Sequence, residues 1–140
     1  MIRYFLVFAC LSLLACSCSN AKRTTSSRPP VAAEREFRLK GIAEDSTYGY
    51  SDKNPVKVGG GPSNERRFFD ALLGPGGEAV TYGRIGSCCA FKTKNGLIGD
   101  MGLLDKYEVS YRGLAKPLII YINMYDADDL KAPLGFTIKQ

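Results

Sequence analysis

Two glycine–proline breaks, Gly59-Gly60-Gly61-Pro62 and Gly74-Pro75-Gly76-Gly77, bracket a single stretch that has helical periodicity. Within it Phe68, Phe69, Leu72 and Leu73 follow an i, i+3, i+4 pattern. Ser63 or Asn64 is placed to cap the start, and Glu65 sits near the positive end of the helix dipole. Gly74 accepts the left-handed cap and Pro75 cannot continue the ladder. The spacing predicts a helix from Glu65 to Leu73. A helix of roughly ten residues is marginal alone in water, so its apolar side must lie on a sheet.

The remaining apolar segments have strand character. Phe37-Arg38-Leu39-Lys40 and Val56-Lys57-Val58 alternate over a few residues. Ala79 to Ile85 follows the Gly76-Gly77 turn, and Tyr107, Val109 and Tyr111 alternate with polar neighbours. Leu118 to Tyr125 is apolar on both faces apart from Asn123, which places it centrally. Arg112 to Pro117 joins those two as an antiparallel pair. Phe136-Thr137-Ile138 reads as an edge strand. The expected domain is α+β: a small antiparallel sheet with one short helix packed on a face, over residues 37–140.

Ahead of it, Met1-Ile2-Arg3 precedes an apolar run from Tyr4 to Ala15, the layout of a secretory signal peptide and too short to span a bilayer. The run ends in Leu13-Leu14-Ala15-Cys16, which resembles the lipobox of bacterial lipoproteins. There a cysteine thiol is acylated and the chain is cut just before it. Cys18 lacks the upstream leucine and is the weaker candidate. Residues 1–15 are therefore expected to be a signal peptide and Cys16 the lipidation site. Residues 16–36, rich in Ser, Thr, Pro, Lys and Arg, form a flexible tether with too little apolar surface to order. The expected location is the cell envelope: lipid-anchored, in the outer membrane rather than the inner, on the periplasmic side.

The formal charge of +5 could suggest a polyanion partner, but its distribution disfavours a polyanion-binding domain. Residues 1–40 carry seven Lys/Arg against two Asp/Glu, whereas residues 41–140 carry twelve of each. The basic excess belongs beside the membrane, where anionic headgroups attract it. No nucleic acid is expected among the partners.

Several stretches carry a family resemblance: Thr47-Tyr-Gly-Tyr-Ser-Asp-Lys-Asn-Pro-Val-Lys-Val-Gly59, Asn64-Glu-Arg-Arg-Phe-Phe-Asp-Ala-Leu-Leu-Gly-Pro-Gly-Gly-Glu78, Gly86-Ser-Cys-Cys-Ala-Phe-Lys-Thr-Lys-Asn-Gly96 and Tyr121-Ile-Asn-Met-Tyr-Asp126. They resemble small, uncharacterised lipoproteins of Gram-negative bacteria over roughly residues 42–138. Members of that family often carry the label 2-dehydro-3-deoxyphosphooctonate aldolase. The resemblance implies lipoprotein character and no reaction. The enzyme of that name is a cytoplasmic (β/α)₈ barrel, which needs about 200 residues or more. About 125 residues follow the expected cleavage site here.

The chemistry-bearing residues are few. With no histidine in the chain, Ser-His-Asp and Cys-His machinery is excluded. Cys88-Cys89 is the most unusual local feature, the candidate disulfide pair. Adjacent cysteines in an oxidising compartment form a vicinal bridge, pair with Cys18, stay as buried thiols, or do redox or metal chemistry. Thiol oxidoreductases usually use Cys-x-x-Cys, which is not present. Asp126-Ala127-Asp128-Asp129 lacks the glycine and distal glutamate of an EF-hand loop, so a solvated turn is expected. Gly59-Gly60-Gly61 is not followed by Lys-Ser/Thr and is no phosphate loop. Gly96, Gly99 and Gly102 space Leu97, Ile98 and Met101 into an irregular apolar loop, which is also a docking candidate. The numerous tyrosines suggest a sheet rim, or a face for partners or glycans.

No cofactor and no metal site is expected, and no catalytic residue is identifiable. The reading is a non-enzymatic binding or assembly module whose partners are the membrane, envelope proteins or cell-wall glycan. The alternatives are an enzyme, marked by a deep pocket collecting Lys57, Arg66 or Arg67 with a carboxylate, and a thiol-redox accessory built on Cys88 and Cys89.

Overall fold

A computed structural model describes residues 37–140. The expected signal peptide, tether, Cys16 and Cys18 lie outside the described residues. In chain order the elements are β1 (Val56–Lys57), α1 (Pro62–Asp70), β2 (Leu72–Leu73), β3 (Val80–Lys92), β4 (Met101–Tyr111), β5 (Leu118–Asn123) and β6 (Thr137–Ile138). The main sheet has the order β1-β5-β4-β3, and β2 and β6 form a separate two-stranded sheet. The class is α+β, mostly sheet with one short helix.

The sheet is mixed rather than purely antiparallel. β3, β4 and β5 pair antiparallel, but β1 lies parallel to β5, with Val56 opposite Ile122. Alternation in Val56-Lys57-Val58 marks a strand but carries no direction. The chain leaves β1 for the helix and returns only through β3, β4 and β5, so it has room for a crossover. β5 is interior, as its apolar character requires: Ile120 and Ile122 are fully buried.

The helix begins and ends about three residues earlier than its apolar period suggests. Gly61 occupies the N-cap with φ 76° and no side-chain cap bond, and Pro62 takes the first turn, where a missing N–H costs nothing. Leu72 and Leu73 leave the helix to pair with Ile138 and Thr137. The Ala71 carbonyl accepts from the Lys139 N–H at 2.8 Å, so the distant C-terminal strand competes for this turn. Phe68 and Phe69 bury against the sheet, the latter ring 4.6 Å from Tyr107 and 4.7 Å from Tyr82.

Phe37–Lys40 is not a strand. Its chain runs extended beside residues 130–132, joined by Lys40 N–H to the Leu130 carbonyl and a single bridge at Ile42. Leu39 is buried there. β3 extends well past Ile85, through two register shifts at Arg84/Gly86 and Cys88/Ala90. Such bulges each absorb one residue and let a strand survive what would otherwise be punctuation. β6 forms, but its partner is β2 and not the main sheet.

Candidate functional site

Three places combine unusual chemistry with accessibility, and the long β3–β4 hairpin contributes to all of them. Side chains alternate across a strand, so Asp105, Tyr107 and Val109 of β4 share the face that α1 covers. Register sets Ser87 opposite Asp105 and Arg84 opposite Tyr107. Arg84 grips Asp105 with two bonds, Nε to Oδ2 and Nη2 to Oδ1, both 2.9 Å, and the Ser87 hydroxyl donates to Oδ1 at 2.7 Å. From the first turn of α1, Glu65 points into the same space. It is completely buried, the Tyr107 hydroxyl donates to its Oε2 at 2.8 Å, and Oε1 has no partner.

Electrostatics pulls the two carboxyls apart. Burial raises the pKa of Glu65, and the Asp105 charge adds to the rise against the opposing pull of the Tyr107 hydroxyl and Arg84. Burial would raise Asp105 too, but Arg84 and Ser87 outweigh it and hold that carboxyl below its ordinary value. Tyr82, whose hydroxyl donates to Asp70 at 2.8 Å, is pushed up to about 12, chiefly by burial and then by Asp70. A cleft of about 440 Å³ opens here between Pro62, Arg66, Tyr82, Arg84 and Met124. Perturbed carboxyls beside a cleft are a common mark of chemistry. In this cleft, however, Arg84, Ser87, Asp105 and Tyr107 spend their hydrogen bonds on the protein itself. The cluster ties α1 to the β3–β4 hairpin through the Tyr107–Glu65 bond.

The other face of the hairpin carries the cysteines. Cys88 and Cys89 are bonded to one another, S–S 2.30 Å, at the second bulge of β3, with Cys89 at φ 55°. Cys88 is half-buried and Cys89 exposed, on the outermost strand of the sheet. Cys89 borders a second cleft, of about 490 Å³, with Lys53, Lys57, Lys92, Asn123 and Asp126.

Asp126 is not a simple solvated turn residue. It accepts from Thr93 at 2.6 Å and from Asn95 and Asn123 at 2.9 Å each, so it fastens the end of β5 to the hairpin. Burial alone would raise its pKa, but these donors hold it below the usual value. Asp128 and Asp129 are exposed and face Lys57 at 3.6 Å and Lys40 at 2.7 Å. Among the described residues no group of three or more His, Cys, Asp or Glu is arranged to hold a metal ion.

The third place is the hairpin apex. β4 pairs with β5 only from Asp105 to Val109, so Met101–Leu104 and their partners on β3 reach past the sheet. Leu97 and Ile98 at the turn are 81% and 84% exposed, and Met101 and Leu103 below them are 41% and 47% exposed. Of the glycine-spaced loop, Gly99 and Asp100 make a tight turn between Ile98 and Met101, with φ 57° and 55°, and Gly102 belongs to β4. It lies where a Cβ would come within 2.9 Å of the Phe91 and Tyr125 rings.

The tyrosines do not gather on one exposed face. Tyr50 donates to the Leu134 carbonyl, Tyr48 accepts from the Lys131 N–H, and Tyr82 and Tyr107 serve α1 as above. No family model, no curated protein and no solved structure matches this chain. No helix of the described residues is long and apolar enough to cross a membrane.

Proposed function

We propose that this chain is a lipid-tethered binding or assembly module of the bacterial cell envelope, anchored through Cys16 on the periplasmic side and without an enzymatic role. The observation that carries the binding half is the β3–β4 hairpin, which projects past the sheet and holds Leu97 and Ile98 in solvent at its apex. Leu97 and Ile98 stand exposed together with Met101 and Leu103 nearby, and grouped exposed apolar side chains of this kind are where partners bind. The anchoring half rests on Leu13-Leu14-Ala15-Cys16 and on the resemblance to small Gram-negative lipoproteins.

Arg66 does meet Glu65 and Asp105 at one cleft, the arrangement an enzyme would need, but Arg84 and Tyr107 already satisfy those carboxyls in part. The aldolase label fits poorly, because a four-stranded mixed sheet with one helix is no (β/α)₈ barrel. A thiol-redox accessory is the second reading, favoured by the exposure of Cys89 on the edge strand.

Labelling cells with a clickable fatty acid tests the anchor. The wild type takes the label and Cys16→Ser does not; equal labelling of the two refutes it. Crosslinking in native membranes, with the captured species identified by mass spectrometry, tests the module: adducts concentrate at the hairpin apex.

A further inference from the structure

We propose that the apex of the β3–β4 hairpin docks on an anionic lipid surface, with Leu97 and Ile98 entering the interface and Lys92 and Lys94 resting against headgroup phosphates. The lipid-tether reading enters only to bring the apex near a bilayer.

Three features select a bilayer as the occupant. The first is shape. The apex is the end of a two-stranded ribbon, offering two highly exposed aliphatic side chains with Met101 and Leu103 below them. A stable protein–protein interface takes about 800 Å² per partner, more than such a tip presents, whereas an interfacial foothold needs only a few apolar side chains.

The second is charge. Lys92 and Lys94 are exposed and make no ion pair among the described residues, and Lys92 stands directly opposite Met101. Asp100 is the one acidic residue between positions 92 and 101. Aliphatic side chains at the tip with lysines one layer below match the order of acyl chains and phosphates in a membrane surface.

The third is rigidity. Thr93 and Asn95 at the base of the turn donate to Asp126, and the Thr93 N–H bonds to the Asp100 carbonyl at 2.9 Å. The tip is held before any surface arrives, so little ordering is lost on contact.

The number of residues between Cys16 and the described domain is compatible. Ser17 to Glu36 is 20 residues, and on the tether reading a chain of that length spans about 25 Å root-mean-square. A domain held that near a surface needs only a weak second contact to settle on it. Full burial of one aliphatic side chain shifts partition by roughly ten- to a hundredfold.

The chain contains no tryptophan, so Ile98→Trp introduces a single indole reporter at a position exposed enough to tolerate it. The full chain carrying this change, purified from membranes, is compared with its Cys16→Ser counterpart on vesicles of phosphatidylglycerol and phosphatidylethanolamine. Leu134→Trp serves as the control. Leu134 lies two residues from Phe136, which touches Tyr111 at the opposite end of β4.

The expected result is a blue shift and quenching by brominated acyl chains for the apex indole and neither for the control. Adding Lys92→Glu and Lys94→Glu should weaken apparent affinity roughly tenfold or more. If Cys16→Ser needs more lipid but is still quenched at saturation, docking and tether both stand. If Cys16 makes no difference and quenching persists, docking stands and the tether reading fails. An apex indole that stays water-exposed at saturating lipid overturns the docking whatever Cys16 does, and assigns the apex to a protein partner.

Discussion

Replacing Tyr107 by Phe removes one hydroxyl and leaves the ring in place against Phe69 at 4.6 Å and Tyr82 at 6.2 Å. Lost is the 2.8 Å bond to Glu65 Oε2, in a residue whose other oxygen already has no partner and which is completely buried. Orphaning a buried polar group costs about 1–3 kcal/mol. With a urea dependence of about 1–3 kcal/mol/M for a small domain, the unfolding midpoint followed by far-UV circular dichroism should fall by about 1 M.

The size of that fall depends on pH, and the sign follows from Glu65. Its folded pKa lies above its unfolded one, mainly through burial. The stability it contributes is therefore fully present below the unfolded carboxyl range and is lost as pH rises through the folded value. The Tyr107 hydroxyl pulls that folded value down, so Tyr107→Phe lets it climb further. Below the unfolded range the variant lacks only a neutral hydrogen bond. Above the wild-type folded value it additionally strands a carboxylate, at about 1.4 kcal/mol for each unit of extra shift. The gap between wild type and variant should stay constant through the unfolded carboxyl range and widen only as pH rises past the wild-type folded value. Glu65→Gln retains an acceptor for the hydroxyl and cannot ionise, so in that background the gap should be independent of pH. A gap that is constant or narrows in the wild-type background would refute the buried-carboxyl reasoning.

Phe68→Ala should cost about 3–5 kcal/mol and Leu72→Ala about 2–5 kcal/mol in urea unfolding, since both side chains are buried; unchanged midpoints would mean that this side of the chain faces solvent. Gly102→Ala forces a Cβ to within 2.9 Å of the Phe91 and Tyr125 rings and should lower the thermal midpoint by an overpacking cost of about 1–3 kcal/mol. Gly83→Ala meets open space and should leave that midpoint unchanged. A chain beginning at Ser19, alkylated and weighed intact, should gain no adducts before reductant and two after it, because Cys88 and Cys89 are bonded to one another; two adducts before reductant would show them as free thiols.

Much of this molecule is legible in its sequence because glycine and proline act locally. The Gly-Pro breaks bracket α1, although its start at Pro62 falls ahead of the Ser63 or Asn64 cap, and Leu118–Asn123 lies inside the sheet for reasons confined to a few neighbouring residues. What was not legible depends on partners distant in the chain. Leu72 and Leu73 satisfy a helical period and a strand pairing equally well, and Ile138 and Thr137 decide between them. Gly83, Gly86 and the cysteine pair look like the end of a strand, yet β4 supplies a long, well-paired partner whose register tolerates two bulges.

The sites divide in the same way. Cys88-Cys89 and the Leu97-Ile98 turn announce themselves, since adjacency and a glycine-flanked aliphatic pair are local facts. Arg84 and Asp105 look like ordinary surface residues, Glu65 like a helix-dipole residue and Tyr107 like one apolar position of an alternating strand. Only the alternation of β4 under α1 gathers them. A polar residue near a helix start therefore needs two questions: what the dipole prefers, and which strand lies beneath that turn. For Glu65 the second answer governs its proton, because the carboxyl turns inward toward Tyr107 and Asp105 instead of outward to water.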